Sequence, residues 1–521
     1  ITVQQVLLPG IVDDVNFTRV AKMDRCTSCH LSIDREGYEE YPQPFTTHPN
    51  LSAYVGSASS HPLGEFGCTV CHEGMGQSIN FEYSSHTPVD SDQMHAWEEE
   101  RDWHVPHLWD YPMLPTDMTE ASCAKCHQGS VFVPEGPKLS LAYGLYERAG
   151  CYACHNTEGF ADLRKPGPDL SKIDAKLDEE WVANWIREPR EMKPSTWMPR
   201  IWYNGNSSAP EDAPRNEAEI DAVVAYLFAN SEDHDFVIGS PPRGDAARGQ
   251  EIVESVGCLA CHINGDEGRL EAGPSRTFGQ PLQNIGGKTS YEWLFDWVRD
   301  PTHFSPDTYM PDMRLTDGEV ADVAAYLAGI DGPSGSGPRA SYDESVVTET
   351  LTDYYRSVVP TEEAHATVAA MTPEEQQLEL GRRAIGRYGC YSCHTIAGFE
   401  DTQPIGIELS EEGSKLVQRL DFAFVHEIPH TKVEWFKQKL RAPRIFDRSR
   451  VLQPLERLRM PNFGFSEEET TLLTTAIMSF QAEVQPVGSH WPGSARNDAL
   501  REGRNLVRRR NCVGCHEIEG A

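Results

Sequence analysis

The chain has 521 residues, 46 Lys and Arg against 80 Asp and Glu, and a net charge of -34. At roughly 100 to 200 residues per domain, this length predicts about three to five domains and excludes a single small module. The acidic excess excludes a nucleic-acid partner, whose phosphates require clustered Lys and Arg, and the apolar stretches are far too short for a membrane span of ~18 residues.

Cysteine and histidine follow one pattern throughout the chain. All 14 cysteines stand in C-x-x-C pairs, and a histidine directly follows every pair. The pairs are Cys26/Cys29, Cys68/Cys71, Cys123/Cys126, Cys151/Cys154, Cys258/Cys261, Cys390/Cys393 and Cys512/Cys515. The histidines are His30, His72, His127, His155, His262, His394 and His516.

This pattern favours covalent haem over other uses of paired cysteines. A C-x-x-C pair alone also fits a zinc half-site, a redox-active dithiol or the ends of separate disulfides. Because histidine makes up 19 of 521 residues, seven such histidines would arise by chance on the order of once in ten billion sequences. C-x-x-C-H attaches c-type haem, with two thiols bonded to the porphyrin and the histidine bound to iron. The sequence therefore predicts seven covalent haems c.

Residues 1–135 hold three of these motifs and half of the histidines outside the motifs. Those additional histidines are His48, His61, His86, His95, His104 and His107. Six imidazoles beside three irons predict bis-histidine ligation. His48 and His61 directly precede proline and His86 precedes Thr-Pro, so we rank these three, in rigid loops, above the others. The alternative ligands are the methionines Met75, Met113 and Met118.

From residue 136 onward, the chain repeats one pattern around the four remaining motifs. An amphipathic stretch leads into each motif, as LAYGLYERAGC, RGQEIVESVGC, LGRRAIGRYGC and REGRNLVRRRNC. Gly249, Gly381 and Gly503 each stand nine residues before a first cysteine. Three of the units close on a helical stretch, DAVVAYLFA, ADVAAYLAG or TLLTTAIMSF. The repeat predicts three complete units and the beginning of a fourth.

The segments between motif and closing helix stay in register as well. One Leu-Lys separation recurs as Leu170/Lys176, Leu282/Lys288 and Leu409/Lys415, with Gly167-Pro168 and Gly273-Pro274 before the first two pairs. Tryptophan and proline recur as Trp181, Trp185 and Pro189, as Trp293, Trp297 and Pro301, and as Trp435 and Pro443. A Met-Pro step then follows in each unit, as Met198-Pro199, Met310-Pro311 and Met460-Pro461.

Each unit resembles a class I cytochrome c domain, and the N-terminal segment resembles compact multihaem cytochromes. The class I family places C-x-x-C-H after a first helix, a Gly-Pro loop beside the proximal histidine, a methionine ligand before a proline, and a packed last helix. The resemblance implies that Met198, Met310 and Met460 are the sixth ligands in their own units, for the haems at Cys151/Cys154, Cys258/Cys261 and Cys390/Cys393 respectively. The third unit departs from the pattern, because an insertion brings in His426 and His430 as alternatives to Met460.

The predicted fold is mainly α with much irregular structure, in which a compact triheme segment precedes tandem class I cytochrome c domains. We assign residues 1–135 to the triheme bis-His segment, and 136–240 and 241–331 to monohaem domains. Residues 332–485 hold a linker, a helical stretch and a monohaem domain with an insertion, and 486–521 begin an incomplete further domain. By composition, DGPSGSGPRAS at 331–341 is the linker, and a polar helical stretch from about Glu344 to Leu380 follows it.

Two expectations concern the ends of the chain. The fourth unit reaches Ala521 five residues after His516, so we expect the natural protein to continue or a partner chain to complete the site. Ile1 is not a start methionine, and c-type haem is attached outside the cytoplasm. We therefore expect a periplasmic or otherwise extracytoplasmic protein, with a leader or anchor upstream of Ile1 removed or omitted.

The predicted ligands favour electron transfer over catalysis. Six-coordinate haem leaves no position for a substrate, and methionine ligation raises the reduction potential above that of bis-His haem. The order of ligands predicts electron flow from the N-terminal segment towards the C-terminus. The chain resembles multihaem c subunits associated with bc-type or related quinol oxidoreductases. That resemblance implies a membrane-associated subunit linking a quinol-oxidising complex to a soluble acceptor.

Two other functions are compatible with the sequence. A haem without a sixth ligand, as at the seventh motif, would suit a reductase or peroxidase, and a unit completed by a neighbour would suit a conductive filament. The acidic surface fits docking to a basic redox carrier and equally fits solubility in brine. High-spin five-coordinate haem with turnover of a small oxidant would identify the enzyme, whereas a conduit would be wholly low-spin.

Overall fold

The computed structural model describes residues 2–15, 18–105, 111–203, 210–265, 267–332, 339–482 and 494–519, so His107 lies outside the described residues. Within these ranges the fold is mainly helical with little sheet, which confirms the predicted fold class at that level. The strands are β1 Val6–Val15, β2 Thr18–Asp24, β3 Tyr54–Val55 and β4 His61–Pro62. No helix in the described ranges is long and apolar enough to cross a bilayer.

The helices vary widely in length. They are α1 Leu63–Phe66, α2 Thr69–His72, α3 Ser91–Arg101, α4 Pro137–Arg148, α5 Cys151–Cys154, α6 Glu179–Arg187, α7 Pro189–Met192, α8 Ala213–Ala229, α9 Ala246–Ser255, α10 Gly273–Arg276, α11 Tyr291–Arg299, α12 Pro301–Phe304, α13 Asp317–Ala328, α14 Glu344–Arg356, α15 Thr361–Ala369, α16 Pro373–Tyr388, α17 Cys390–Cys393, α18 Lys432–Arg441, α19 Glu467–Ser479 and α20 Ala495–Arg509. Short 3-10 turns occur at Cys26–Ser28, Thr119–Lys125, Pro210–Asp212, Cys258–Ala260, Glu412–Ser414, Val417–Arg419, Pro443–Asp447, Pro454–Glu456 and Cys512–Gly514.

The N-terminal segment carries its motifs on short turns and ties them together with buried polar contacts. β1 and β2 form an antiparallel hairpin, which the sequence analysis did not predict, and it ends at Asp24 just before the first motif. The Asp24 carboxylate is buried and accepts hydrogen bonds from the amides of Cys68 and Thr69 in the second motif. Lys125 of the third motif pairs with the Glu73 carboxylate next to the second. Such contacts fix the three motifs relative to one another.

The unit formed by residues 241–331 folds on itself. Its leading helix α9 packs against its closing helix α13. The contact is so close that a Cβ on Gly249 would lie 2.0 Å from the Asp322 carbonyl oxygen, which explains the glycine. Trp293, Leu294 and Phe295 of α11 complete the buried core. Both helices of this core come from one repeat.

The repeats on either side exchange their halves. Helix α4, which leads into Cys151, packs against α19, the closing helix of the third repeat. Helix α16, which leads into Cys390, packs against α8, the closing helix of the first repeat. A Cβ on Gly381 would lie 2.0 Å from the Ala222 carbonyl oxygen at that crossing. This packing differs from the sequence-order boundaries 136–240 and 332–485, because each compact unit combines parts of both ranges.

The exchange defines three units, to which we give names. Unit A consists of α4, α18 and α19, unit B of α6, α8 and α16, and unit C of residues 241–331. In unit A, Leu139 and Tyr146 of α4 share a buried core with Leu473 of α19. In unit B, Ile385 of α16 shares a second core with Val223 of α8. Each exchanged unit is therefore closed by apolar packing of its own.

Two short crossovers produce the exchange. After the fourth motif, at Cys151/Cys154, the chain enters unit B at Gly167, whose amide donates to the Cys393 carbonyl at 2.9 Å. After the sixth motif, at Cys390/Cys393, it returns to unit A at Gly406, whose amide donates to the Cys154 carbonyl at 2.6 Å. The two repeats offer equivalent helices to each other, and the exchange retains the glycine-to-cysteine hydrogen bond that Gly279 makes with Cys261 within unit C.

The stretch from Glu344 to Leu380, expected to be helical, consists of α14, α15 and the first part of α16. Pro360 precedes α15, and Thr372 caps α16 in a capping box with Glu375. These turn and cap signals divide the helical stretch into three helices. Leu380 lies buried inside α16, and α16 leads into the motif at Cys390/Cys393. Residues 333–338 of the expected linker lie outside the described residues.

Candidate haem-binding sites

All seven motifs fold into the same single turn. In each, the histidine amide donates to the carbonyl of the first cysteine, four residues earlier, at 2.9–3.0 Å. Side chains three residues apart share one face of such a turn, so both thiols lie on one side of it. None of the fourteen cysteines forms a disulfide, and all of them lie in the described ranges. The turns fit two thioether bonds and one iron ligand at each motif.

Two of the predicted thioether cysteines differ from the other twelve in their burial. The motif predicts the same attachment site at every pair, but Cys29 and Cys515 are exposed, whereas the remaining cysteines are partly buried. Cys29 is exposed beside the exposed Leu31, whereas Cys26 of the same turn is partly buried. The first motif is therefore open to solvent at its second cysteine.

The seventh motif is open to solvent as well. The described residues that follow Cys515, from His516 to 519, are all exposed, so they do not cover its thiol. The other six motif histidines are partly buried, and His516 is exposed together with its cysteine. The backbone turn is retained at Cys29 and at Cys515, because it depends on the motif alone and not on the residues around it.

Three pairs of imidazoles face each other in the N-terminal segment. Their ring centroids are 6.4 Å apart for His30 and His86, 6.4 Å for His72 and His48, and 6.1 Å for His127 and His61. An iron between two imidazoles spans two metal–nitrogen bonds of about 2 Å and half of each ring, or roughly 6 Å between centroids. The gaps therefore fit one bis-histidine haem iron in each pair.

Backbone carbonyls orient two of the three non-motif imidazoles. The Nδ1 atom of His86 lies 2.8 Å from the Phe81 carbonyl oxygen, and that of His61 lies 3.3 Å from the Ala53 carbonyl oxygen. A carbonyl at Nδ1 holds the proton on that nitrogen and leaves Nε2 for the metal. His48 differs, because a backbone amide two residues later donates to its Nδ1 at 3.2 Å.

Burial keeps the motif imidazoles of this segment neutral. It lowers the pKa of His30 and of His127, and in each case the facing imidazole lowers the pKa further. Burial, together with the neighbouring histidines, lowers the pKa of His72 to about 4. Metals bind the neutral ring, so these rings need not lose a proton near neutral pH to become ligands.

The other candidate ligands of this segment lie away from the three pairs. His95 and His104 are exposed. Met75 is also largely exposed, and Met118 is fully buried in the core of unit A. Met113 forms an isolated backbone bridge beside the second motif. The structure thus brings together the three histidines that the proline pattern singled out.

Met198 faces the motif of the third repeat. A cavity of about 310 Å³ in unit B is lined by Met198 and Trp185 together with Cys390, Cys393 and His394. The Trp185 indole Nε1 donates to the Met198 sulfur at 2.8 Å and so positions it. The class I resemblance pairs Met198 with the motif at Cys151/Cys154, and this geometry does not match that pairing. The exchange of halves instead brings the motif at Cys390/Cys393 to Met198.

Met460 takes the reciprocal position in unit A. It packs against the same core as Cys151, so it is grouped with the first motif of the repeats. His426 is exposed, and His430 stacks on Phe422 with ring centroids 4.3 Å apart. Both histidines lie in the inserted loop beside a separate small cluster. The assignment of Met460 therefore changes as well, from the motif at Cys390/Cys393 to the motif at Cys151/Cys154.

Unit C keeps a methionine from its own repeat. The Met310 amide donates to the Thr308 hydroxyl at 3.2 Å. The Met198 amide makes the same contact with Thr196 at 3.2 Å. This shared turn presents the two methionines alike, and it leaves Met310 in the unit that holds His262.

The proximal histidines of the three units dock on equivalent loops. Their Nδ1 atoms lie 2.8, 2.9 and 2.6 Å from backbone carbonyl oxygens, as His155 with Ile407, His394 with Pro168 and His262 with Gln280. Each contact leaves Nε2 for iron. The loop of unit C is therefore Gly279-Gln280, whereas the predicted Gly273-Pro274 begins α10. The correct signal was present in the sequence, because Gly167, Gly279 and Gly406 each stand three residues before the aligned leucine.

These loop glycines give a first testable prediction. A Cβ on Gly406 would lie 2.5 Å from His155 Nδ1 and 2.6 Å from the Cys154 carbonyl oxygen. We expect Gly406→Ala to displace His155 and to destabilise unit A by about 1–3 kcal/mol, as overpacking does. Thermal unfolding of the haem-loaded protein, followed at the haem absorption maximum, measures the effect.

Gly503→Ala is the matched control. A Cβ at Gly503 meets no atom within 4 Å, and the residue lies inside α20. Alanine there should stabilise the helix by up to ~1 kcal/mol. Equal losses from the two variants would contradict a specific contact between Gly406 and the proximal histidine.

Lysines at the cavity of unit B suit the carboxylates of a haem. Lys176, Lys193 and Lys288 line it. Burial lowers the pKa of all three ammonium groups, that of Lys288 to about 8. Propionate anions would compensate these buried charges. Thiols, imidazole, thioether, indole walls and buried cations together form a donor set that fits a covalently bound haem.

The seventh motif adjoins unit C. The Asn511 side-chain amide donates to Cys261 Sγ at 3.3 Å and to the Ser275 carbonyl oxygen at 3.1 Å. Its leading helix α20 contacts the N-terminal segment, where Asn505 donates to the Gly129 carbonyl oxygen at 2.9 Å. The last motif is therefore held next to the motif of unit C, and Arg509 of its leading helix also binds Glu147 of α4 in unit A at 2.8 Å.

Two family models match parts of the chain. Cytochrome c matches residues 246–331, which lie in unit C. Cytochrome c554 and c-prime matches residues 67–156, which contain the second, third and fourth motifs. No curated protein and no solved structure matches the chain. The two matches support a c-type cytochrome with multiple domains and covalently bound haem c.

Proposed function

We propose that this multidomain c-type cytochrome is a heptahaem electron conduit. When bound, each haem supplies an iron that cycles between ferric and ferrous states and so carries one electron. The observation that carries the proposal is the position of the N-terminal imidazoles. The ring of each of the three motif histidines lies 6.1–6.4 Å from a second imidazole ring, measured between centroids, which leaves room for one iron ion between the two rings. Ligands on both sides exclude small molecules from the metal, which favours transfer of electrons over chemistry on a substrate.

Contacts between motifs support a continuous route through the first five haems. Asp24, two residues before the first motif, accepts a hydrogen bond from the Cys68 amide at 2.6 Å, and α2 of the second motif packs against the turn Thr119–Lys125 of the third. The third motif and the first motif of the repeats pack against one core, that of unit A. From there the route continues to the third repeat, because α5, which carries Cys151 and Cys154, packs against α17, which carries Cys390 and Cys393.

The route then passes to unit C and ends at the seventh motif. The cavity of unit B is also lined by Gly279 and Gln280, which form the proximal loop of His262. Asn511 links the last motif to Cys261. The proposed order of first cysteines is therefore Cys26, Cys68, Cys123, Cys151, Cys390, Cys258 and Cys512. This order departs from chain order, since the sixth motif precedes the fifth.

The two exposed cysteines fall at the two ends of this route. Cys29 belongs to the first motif and Cys515 to the last, and every motif between them has partly buried cysteines. Exposed attachment sites at the ends suit the entry and exit of electrons, because a partner protein can approach them closely. Enclosed sites in the middle suit transfer within the chain.

The proposed direction is from the N-terminal segment towards the seventh motif, because methionine ligands raise the potentials of units A to C above those of bis-His haem. The proposed setting is the periplasm, with a quinol-oxidising membrane complex as donor and a soluble redox protein as acceptor. A net charge of -34 suits an acceptor with a basic docking face. Electrostatic steering would then make association slow down as salt rises.

The proposed function has a direct spectroscopic test. We expect the intact mass to exceed that of the polypeptide by seven haems, and the ferric protein to be low-spin throughout the six haems of the N-terminal segment and units A to C. Intact-mass spectrometry and the pyridine haemochrome count the haems, and electron paramagnetic resonance reports their spin states. High-spin haem within that set, together with turnover of peroxide or nitrite, would contradict a conduit and favour the reductase.

A further inference from the structure

Two histidines and an aspartate converge away from the haem sites, where the chain passes from unit B to unit C. His234 follows α8, Asp296 belongs to α11, and His303 belongs to α12. His234 Nε2 and His303 Nδ1 lie 2.9 and 3.1 Å from one oxygen atom, Asp296 Oδ2. All three ligand atoms lie within 4.8 Å of one another.

We propose that this cluster binds a divalent transition-metal ion, and that Zn²⁺ fits it best. Two imidazoles and one carboxylate form a common ligand set for zinc, with a fourth position left open. A tetrahedral ion with bonds of about 2.0–2.1 Å separates its ligand atoms by roughly 3.3 Å. The two spacings at Asp296 are close to that value. His303 is 34% exposed and provides the side from which an ion and a fourth ligand enter.

The surroundings hold the ligands in place before an ion binds. The Val237 amide donates to Asp296 Oδ1 at 3.0 Å, which leaves Oδ2 directed at the two imidazoles. The side chains of His234 and Asp296 are 2% and 3% exposed. A buried carboxylate is costly unless a cation offsets its charge. Phe236 and Phe304 flank the His234 ring at 4.9 and 5.0 Å, and such an apolar shell strengthens metal–ligand bonds.

An ion at this position would join the connection between two units to the core of the second unit. His234 comes from the segment that leaves unit B, and Asp296 and His303 belong to unit C. The same boundary holds Lys176 of the first repeat over the Trp293 ring of unit C, with Nζ 4.2 Å from the ring centroid. The ion would therefore fix the spacing between two neighbouring haem-binding units without touching a haem ligand.

The haem-loaded protein provides the test, because zinc is measured separately from iron. The protein is stripped with a chelator, titrated with Zn²⁺ in a calorimeter, freed of excess ion by gel filtration, and analysed for zinc and iron by mass spectrometry. We expect one tightly held zinc per chain. His303→Gln should weaken binding on the order of 100-fold, and the matched control His365→Gln, at an exposed position in α15, should leave it unchanged.

Zinc-edge X-ray absorption gives an independent readout. We expect two imidazole nitrogens and one carboxylate oxygen around the ion. His303 is partly exposed, so His303→Gln keeps the fold if its haem spectrum is unchanged, and Asp296→Asn then serves as a second variant. Absence of tightly bound zinc from the wild type, equal binding by His303→Gln, or a zinc shell without imidazole would overturn the proposal and leave a hydrogen-bonded triad.

Discussion

Met198→Ala is expected to perturb the haem at Cys390 and to leave the haem at Cys151 unchanged. Met198 shares its cavity with the motif of the third repeat, so its removal takes the thioether from that site. Loss of a methionine ligand lowers the reduction potential of the affected haem. With Met198, Met310 and Met460 as the three proposed methionine ligands, loss of one should lower the methionine-to-iron charge-transfer band by about a third.

Variants that lack one haem assign the effect to a site. In a Cys390→Ala/Cys393→Ala background, Met198→Ala should cause no further loss of the band. In the corresponding double variant of the first repeat, Met198→Ala should still cause a loss. Met460→Ala is the matched control and should give the reverse pattern, since Met460 packs with Cys151. A Met198 effect that disappears with the first-repeat haem would contradict the exchanged units.

Local chemistry explains why so much of the haem sites could be predicted from the sequence. The C-x-x-C-H turn depends on neighbouring residues alone, and its amide-to-carbonyl bond recurs in all seven motifs. Proline after His48 and His61 restricts the backbone within one residue, and both rings face a motif histidine. The Thr-x-Met turn at Met198 and Met310 is equally local. The signal for each of these features lies in residues that are adjacent in the chain.

Burial of the motifs could not be predicted from the same local signal. Cys29 and Cys515 stand in motifs of the same form as the other five, yet both are exposed. The motif fixes the turn, whereas the cover over each thiol comes from other parts of the chain. The exposure of these two cysteines therefore needed the structure.

Pairing between distant parts of the chain could not be predicted either. Gly381 meets Ala222 at the first exchanged crossing as Gly249 meets Asp322 within unit C. Both glycines carry the same sequence signal, so periodicity cannot tell which closing helix each will meet. The choice depends on packing between repeats that are far apart in the chain. The cluster at Asp296 was missed for the same reason, because its two histidines approach it from another unit and another helix.

Arg269→Met is expected to cause the largest loss of stability. Arg269 is buried at the junction of the three units and binds the buried Glu469 carboxylate of α19 at 2.7 Å. It also donates to the Thr196 carbonyl oxygen and lies over the Trp197 ring, 4.4 Å from its centroid. Burial lowers the pKa of Arg269 to about 10. Its removal would leave Glu469 charged and buried, at a cost of about 3–5 kcal/mol.

The unfolding of the haem-loaded protein in denaturant measures this loss, and two controls identify its cause. Arg276→Met breaks a surface ion pair, in which the side chains of Arg276 and Glu267 are 40% and 44% exposed. This change should cost less than ~1 kcal/mol of unfolding free energy. Adding Glu469→Gln to Arg269→Met should recover part of the stability, because the second change removes the stranded charge. If the double variant is no more stable than Arg269→Met alone, the loss comes from packing on Trp197 and not from the buried carboxylate. In that case the three units would be held together at this junction by apolar contact, and the penalty should be insensitive to salt and to the charge at position 469.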